Sequence, residues 1–214
     1  MIARINIRSK ENILILFLVI FYTVGTVGIL LPEYRNTMLT LSPMNLLISF
    51  GALLLSRKNN FLPFLLMLVL CFVVGIAVEL IGTKTGLLFG DYAYGQNLGT
   101  KFMGVPWIIG LNWGILIVCT ASVVHRLKVG LLAKAILAAT LMTALDFLIE
   151  PVAIESDFWS WKNGEIPIFN YICWFVIALP LQWINFKLKA VESNKVANGL
   201  LIMMTLFFLI LNIF

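Results

Sequence analysis

The run Asp146-Phe147-Leu148-Ile149-Glu150-Pro151 closes an apolar stretch that begins at Leu131. Read as a membrane helix, the stretch places Asp146 and Glu150 one turn apart on a single face. Pro151 biases the residue before it away from helical geometry, so the span is expected to end there. A further acid, Glu79, lies near the end of a second apolar run, Phe61 to Ile81. A carboxylate at the centre of a membrane helix costs about 2.5–3.5 kcal/mol, and acids kept in such runs are functional candidates by default. These three lie nearer the ends of their runs, where the penalty is smaller.

The rest of the composition agrees with a membrane setting. Of the 214 residues, 61% are hydrophobic and only 12% are charged. With a mean hydropathy of +1.02, a soluble globule with a polar skin is excluded. Ile13 to Leu31 is long enough to span and has no small-residue cleavage site, so it is expected to stay as a span rather than leave as a signal peptide. Cys71, Cys119 and Cys173 fall inside apolar runs without CxxC spacing, which argues against a disulfide framework or a zinc site. The net charge of +5 comes from basic residues scattered over short loops, with no nucleic-acid motif beside them.

About seven apolar stretches of spanning length follow one another, near 12–31, 38–56, 61–81, 104–124, 130–149, 168–186 and 196–214. The expected fold is therefore all-α: a polytopic membrane helix bundle of about seven spans, one integral membrane domain over residues 1–214. Arg4, Arg8, Lys10, Arg57, Lys58, Arg126, Lys128, Lys187, Lys189 and Lys195 would share one side. The positive-inside rule makes that side, with the N-terminus, cytoplasmic, and the protein multi-pass in the cell (inner) membrane. Glu33, Asp91, Glu155, Asp157 and Glu165 then fall at the outer side, and Glu33, Glu155, Asp157 and Glu165 read as ordinary solvated acids. Pro180 predicts a kink in the sixth span, with Gln182 placed to satisfy the freed backbone. Val196 to Phe214, almost wholly apolar, reads as a lipid-facing support.

Both long connections lie on the outer side. Residues 82–103 are glycine-rich but hold no GxxxxGK[ST] or GxGxxG, which argues against a phosphate-cradling loop. They set Asp91 beside Tyr92 and Tyr94. The second connection, 150–167, carries Trp159 and Trp161, readable either as an interfacial aromatic belt or as a substrate wall. Asn45, Asn112 beside Trp113, Thr143, and Asn170 one turn before Trp174 share the depth of Glu79 and Asp146. Each would serve as interhelical glue, but their common depth favours one cavity opening towards the outer leaflet.

His125, the single histidine, sits at the cytoplasmic end of the fourth span, so no Ser/His/Asp set is available. A metal site is not expected, since no DxD, DxDxDG or HxxE spacing is present. A retinal protein would need a lysine in the last span, and Val196 to Phe214 has none. What remains is carboxylic-acid chemistry without a cofactor. A carboxyl group in low dielectric favours its neutral form, a second carboxylate nearby acts in the same direction, and a neutral acid is a proton donor. Aromatic faces steady a developing cation by about 0.5–2 kcal/mol per ring. Such a set suits protonation of an alkene in a membrane-dissolved isoprenoid.

Two segments carry a family resemblance. One is Glu79-Leu80-Ile81-Gly82-Thr83-Lys84-Thr85-Gly86-Leu87-Leu88-Phe89-Gly90-Asp91-Tyr92-Ala93-Tyr94 with Gly104-Val105-Pro106 and Asn112-Trp113. The other is Asp146-Phe147-Leu148-Ile149-Glu150-Pro151-Val152-Ala153 with Trp159-Ser160-Trp161 and Ile166-Pro167-Ile168-Phe169-Asn170-Tyr171-Ile172-Cys173-Trp174. In order and placement they resemble the multi-span carotenoid biosynthesis proteins, which include bisanhydrobacterioruberin hydratase and the carotenoid 1,2-hydratases. Cys173 and Ile166 stand where the family pattern has glycine. The resemblance implies water addition to the carbon 1–carbon 2 double bond at an acyclic carotenoid end by a hydro-lyase.

On this reading Asp146 or Glu79 is the general acid, and the other of the two, or Glu150 or Asp91, orients the water. Tyr92, Tyr94, Asn112, Trp113, Trp159, Trp161, Asn170 and Trp174 would bind the substrate. Its partners would be the carotenoid, water, membrane lipid and other carotenoid-pathway enzymes, with no nucleic acid. A lycopene-cyclase-like enzyme, or a non-enzymatic polyene-binding or proton-coupled carrier, are the alternatives.

Overall fold

The computed structural model describes residues 9–57 and 59–214. Arg4, Arg8 and Lys58, which enter the charge argument above, lie outside the described residues. Helix α1 (Lys10–Leu30) starts at Ser9, whose hydroxyl accepts the Asn12 amide at 3.3 Å. Pro32 and Pro43 each sit in a first helical turn, where the missing N–H has no intrahelical acceptor to lose. Two helix starts so close together break one apolar stretch into α2 (Pro32–Thr40) and α3 (Ser42–Ser56), which meet at 57°. Helix α4 (Phe61–Thr85) ends at Gly86, in the left-handed conformation glycine adopts freely. Then come α5 (Ile108–Val124), α6 (Leu131–Glu155), α7 (Ile168–Lys187) and α8 (Lys195–Ile213).

Among the described residues, 5 of these helices are long and apolar enough to cross a membrane, and 6 if the bent pair counts as one. Helix α5, at 17 residues, is shorter, so the count of seven is not reached by length and composition. Its place in the fold accounts for its composition. Nearly every α5 side chain is buried, from Ile108 to Val124, and α3, α4, α6, α7 and α8 pack around it. By contrast Ile13, Leu16, Ile20 and Val24 of α1 are exposed, as suits a face turned to lipid.

Three expectations are corrected. Helix α6 does not stop at Pro151 but runs on to Glu155. Proline forfeits one N–H donor, and the Ser156 N–H still bonds the Val152 carbonyl at 2.9 Å beyond it. Glu150 is therefore helical and stays on the face of Asp146. Helix α7 likewise continues through Pro180, and Gln182 serves a neighbour instead of its own backbone: its amide donates to the Ile117 carbonyl at 3.2 Å and the Thr120 hydroxyl at 2.8 Å on α5. Helix α8 is not purely a lipid-facing support, since Val196, Leu200, Met204 and Phe207 are buried and α8 packs on α1, α5 and α6.

Arg57 and Arg126 lie together at one end of the bundle. There Arg57 donates to the Ala190 carbonyl and Arg126 to the Ser193 hydroxyl, each at 2.6 Å. At the opposite end two long loops meet. Strand β1 (Tyr92–Tyr94) pairs antiparallel with β4 (Trp159–Trp161), Tyr92 opposite Trp161 and Tyr94 opposite Trp159. A small hairpin of β2 (Lys101–Phe102) and β3 (Val105–Pro106) lies between β1 and α5. Glu33, Glu155, Asp157 and Glu165 are exposed there, Glu155 facing Arg35 at 3.8 Å.

Candidate active site

Alternation along a strand sends every second side chain to one face. In the β1/β4 pair this turns Tyr92, Tyr94, Trp159 and Trp161 together towards the helices, while Ala93 and Ser160 are exposed. The four rings form a lid over α4, α5, α6 and α7, with Tyr92 and Trp161 centred 5.2 Å apart and Tyr94 and Trp159 at 6.1 Å. Gly95, Gln96 and Asn97 anchor the lid by hydrogen bonds to the 156–158 segment at 2.9 Å each: Gly95 N–H to Phe158 O, Gln96 N–H to Asp157 Oδ2 and Asn97 Nδ2 to Ser156 O.

Beneath the lid is a small cavity lined by Glu79, Phe89, Tyr92, Tyr94, Ile109, Asn112, Glu150, Trp159, Trp161, Asn170 and Trp174. Two carboxyl groups face it, and their partners differ in kind. Glu79 Oε2 accepts the Tyr92 hydroxyl at 2.5 Å and the Tyr94 hydroxyl at 2.7 Å, and its Oε1 accepts the Trp113 indole N–H at 3.2 Å. Glu150 meets only N–H groups. Its Oε2 accepts Trp159 at 3.0 Å and Trp161 at 2.9 Å, and its Oε1 accepts the Asn170 amide at 2.9 Å. Indole nitrogens can only donate, whereas a hydroxyl both donates and accepts. Burial first, and then the adjacent Glu79 carboxyl, hold the Tyr92 and Tyr94 phenols well above the ordinary tyrosine range, so both remain O–H groups.

Asp146 does not line the cavity. It is fully buried behind Asn170, whose amide donates to its Oδ2 at 3.0 Å and to Glu150 at once; Asp146 Oδ1 has no hydrogen-bond partner among the described residues. Asp91 is outside as well, at the surface beside Lys162 at 3.4 Å. Trp113 is buried one layer back, stacked on Trp174 with ring centres 4.4 Å apart and planes 5° from parallel. The other substrate-binding candidates, Tyr92, Tyr94, Asn112, Trp159, Trp161, Asn170 and Trp174, do line the space. Asn112 makes no side-chain hydrogen bond to the described residues, which leaves its amide available to the cavity.

Phe89 and Ile109 are lining residues that the sequence reading did not single out. Ile109 precedes Asn112 by three positions, hence shares its helix face, a signal that was there to use. Phe89 adopts φ 65°, and its N–H rests on Cys173 Sγ at 3.3 Å. Cys173 thus ties this loop to α7. Among the described residues no three His, Cys, Asp or Glu side chains are grouped so as to hold a metal ion.

Gly75 makes the Trp113 position possible. A Cβ there would fall 2.7 Å from Trp113 Cδ1. Gly75→Ala is expected to push the indole away from Glu79, lowering stability by about 1–3 kcal/mol and turnover roughly tenfold. Thermal unfolding in detergent and product formation per folded protein measure the two; unchanged turnover would show that Trp113 has no bearing on Glu79.

Comparison with known proteins gives three findings. No solved structure matches the chain. Over 108 residues it is 29% identical to bisanhydrobacterioruberin hydratase of Haloarcula japonica, a match covering 46% of this chain and 36% of that protein. The family described as carotenoid biosynthesis protein matches residues 36–214, a range that contains both cavity carboxyls, Asp146 and the whole aromatic lid. The chain belongs to the carotenoid biosynthesis protein family.

Proposed function

We propose that this protein is a hydro-lyase that adds water to the carbon 1–carbon 2 double bond at an acyclic carotenoid end. The observation that carries the reading is the unlike pair of carboxyl groups on one aromatic cavity. Glu79, bonded to hydroxyls that can pass protons on, is the acid. It gives its proton to carbon 2, leaving a tertiary cation at carbon 1. Trp159, Trp161 and Trp174 face that cation, and their π faces favour it. Glu150, surrounded by N–H donors that suit a carboxylate, draws the water proton as oxygen bonds to carbon 1. The Asn112 amide is available to hold that water. The proton left on Glu150 balances the one spent by Glu79, and exchange with solvent restores both.

Asp146 acts through Asn170 as a positioning residue. Asp91 serves the surface loop. The same reading takes residues 1–214 as one integral domain of the cell membrane with seven crossings, the buried α5 among them, and a cytoplasmic N-terminus. Lipid, and neighbouring enzymes of carotenoid synthesis, would be its surroundings. The name of the Haloarcula relative and the family both support a hydratase.

The test is extraction of pigment from cells making lycopene, with and without this chain, and mass spectrometry of the products. A gain of one water per reacted end, carrying label from heavy-oxygen water, is expected. An isomer of unchanged mass would replace this reading with cyclisation, and unmodified pigment bound to the protein would replace it with a carrier.

A further inference from the structure

The acid cavity is small. It suits an end group and a water but not the long body of a polyene. Ile109, Asn112 and Trp159 form a wall shared with a second cavity, enclosed by the lid segment, α1, α3 and α8 and bordered by Leu46, Leu98, Phe158 and Met204. The Tyr22 and Ser42 hydroxyls on this second wall already have partners. The Tyr22 and Ser49 hydroxyls are 3.1 Å apart, Ser49 reaches Asn45 Oδ1 at 3.4 Å, and the Ser42 hydroxyl donates to Leu39 O at 2.7 Å. What they leave towards the cavity is chiefly apolar surface.

The second cavity in turn shares Ser42, Asn45 and Phe207 with a third space beside the α2/α3 break, bordered by Phe21, Val24 and Gly25 of α1. A Cβ at Gly25 would meet nothing within 4 Å, and Val24 is 56% exposed. The three spaces therefore form a series from the carboxyl pair to the lipid-facing side of α1.

We infer that this series is the substrate channel: the polyene body lies in the second cavity and leaves for the lipid at the α2/α3 break while its end group sits between Glu79 and Glu150. The inference rests on the proposed reaction for the identity of the occupant, an acyclic polyene. It makes Leu46 and Leu98 specificity-determining positions, where bulk excludes a long substrate without touching the acids. The helix break is the mouth because Leu41, Ser42 and Met44 at the break line the third space together with Phe21, Val24 and Gly25 of α1.

The experiment uses the purified full chain in lipid nanodiscs with lycopene as probe, reading both pigment retained through size exclusion, by its visible absorbance, and hydrated product. Leu46→Trp and Leu98→Phe narrow the second cavity at two independent places, and Leu132→Trp adds the same bulk at a residue 59% exposed on α6. Monodisperse Leu46→Trp and Leu98→Phe are expected to lose at least tenfold in retained lycopene and in product, with Leu132→Trp like the parent. Full retention and turnover in both narrowed variants would overturn the channel and leave the hydratase reading standing. Retention by the parent without product, lost on narrowing, would overturn the hydratase reading and leave the channel. A parent that neither retains nor converts lycopene overturns both.

Discussion

Glu79→Gln is expected to reduce hydration of an acyclic carotenoid end by about 10³-fold, within the range for a lost general acid, while leaving the protein folded. The network around residue 79 explains why the substitution is clean. The glutamine oxygen can take the place of Oε1 and accept the Trp113 N–H. Its NH2 then occupies the Oε2 position and donates to Tyr92 and Tyr94, whose hydroxyls turn to accept. Every buried polar atom keeps a partner, and the lid and the 4.4 Å stack of Trp113 on Trp174 have no reason to move. Only the transferable proton is gone. Product per folded protein, with pigment retention alongside, checks this. A variant that keeps more than about a tenth of the parent turnover would remove Glu79 from the acid role. Tyr92→Phe and Tyr94→Phe are expected to be milder singly, since each leaves the other hydroxyl on Glu79.

Much of this site was legible in the chain because helix spacing is rigid. Asp146 and Glu150, four positions apart, do share a face, and Asn170 bridges them at 3.0 and 2.9 Å. Tyr92-Ala93-Tyr94 and Trp159-Ser160-Trp161 also carry a period-2 signal. What spacing could not supply was that these two triplets pair with each other across the 64 positions that lie between Tyr94 and Trp159. That pairing is a long-range contact, set by how α4, α5 and α6 bring two loops together. The same limit hid the different standing of the acids. Depth in a span orders Glu79, Asp146 and Glu150 along the membrane normal, but rotation about α4 and α6 decides which reach the cavity, and rotation is fixed by packing partners. Pro151 misled for a related reason. The local rule for proline is sound, yet packing against α5 and α7 holds α6 helical beyond Pro151, and the Gln182 tie to α5 supports α7 past Pro180.

Glu150→Gln should lower hydration by about 100-fold, the lower end for loss of a catalytic base, and unlike Glu79→Gln it should also destabilise. Two indole donors converge on Oε2, so the glutamine oxygen must stay there, which puts its NH2 against the Asn170 NH2. Relief requires the Asn170 amide to turn, and its carbonyl then faces Asp146 Oδ2 in place of a donor. One buried polar contact is lost, at about 1–3 kcal/mol. Asp146→Asn in the same chain supplies an NH2 to that turned carbonyl. The double variant is therefore expected to recover most of the lost thermal stability and none of the lost turnover. The single variant should also change what becomes of the cation. Without a carboxylate to draw the water proton, loss of a neighbouring proton competes with capture by water, so double-bond isomers of unchanged mass should accompany the alcohol. Thermal unfolding and product mass together decide the matter. Recovery of turnover in the double variant would make Glu150 a structural partner of Asn170 and not the base.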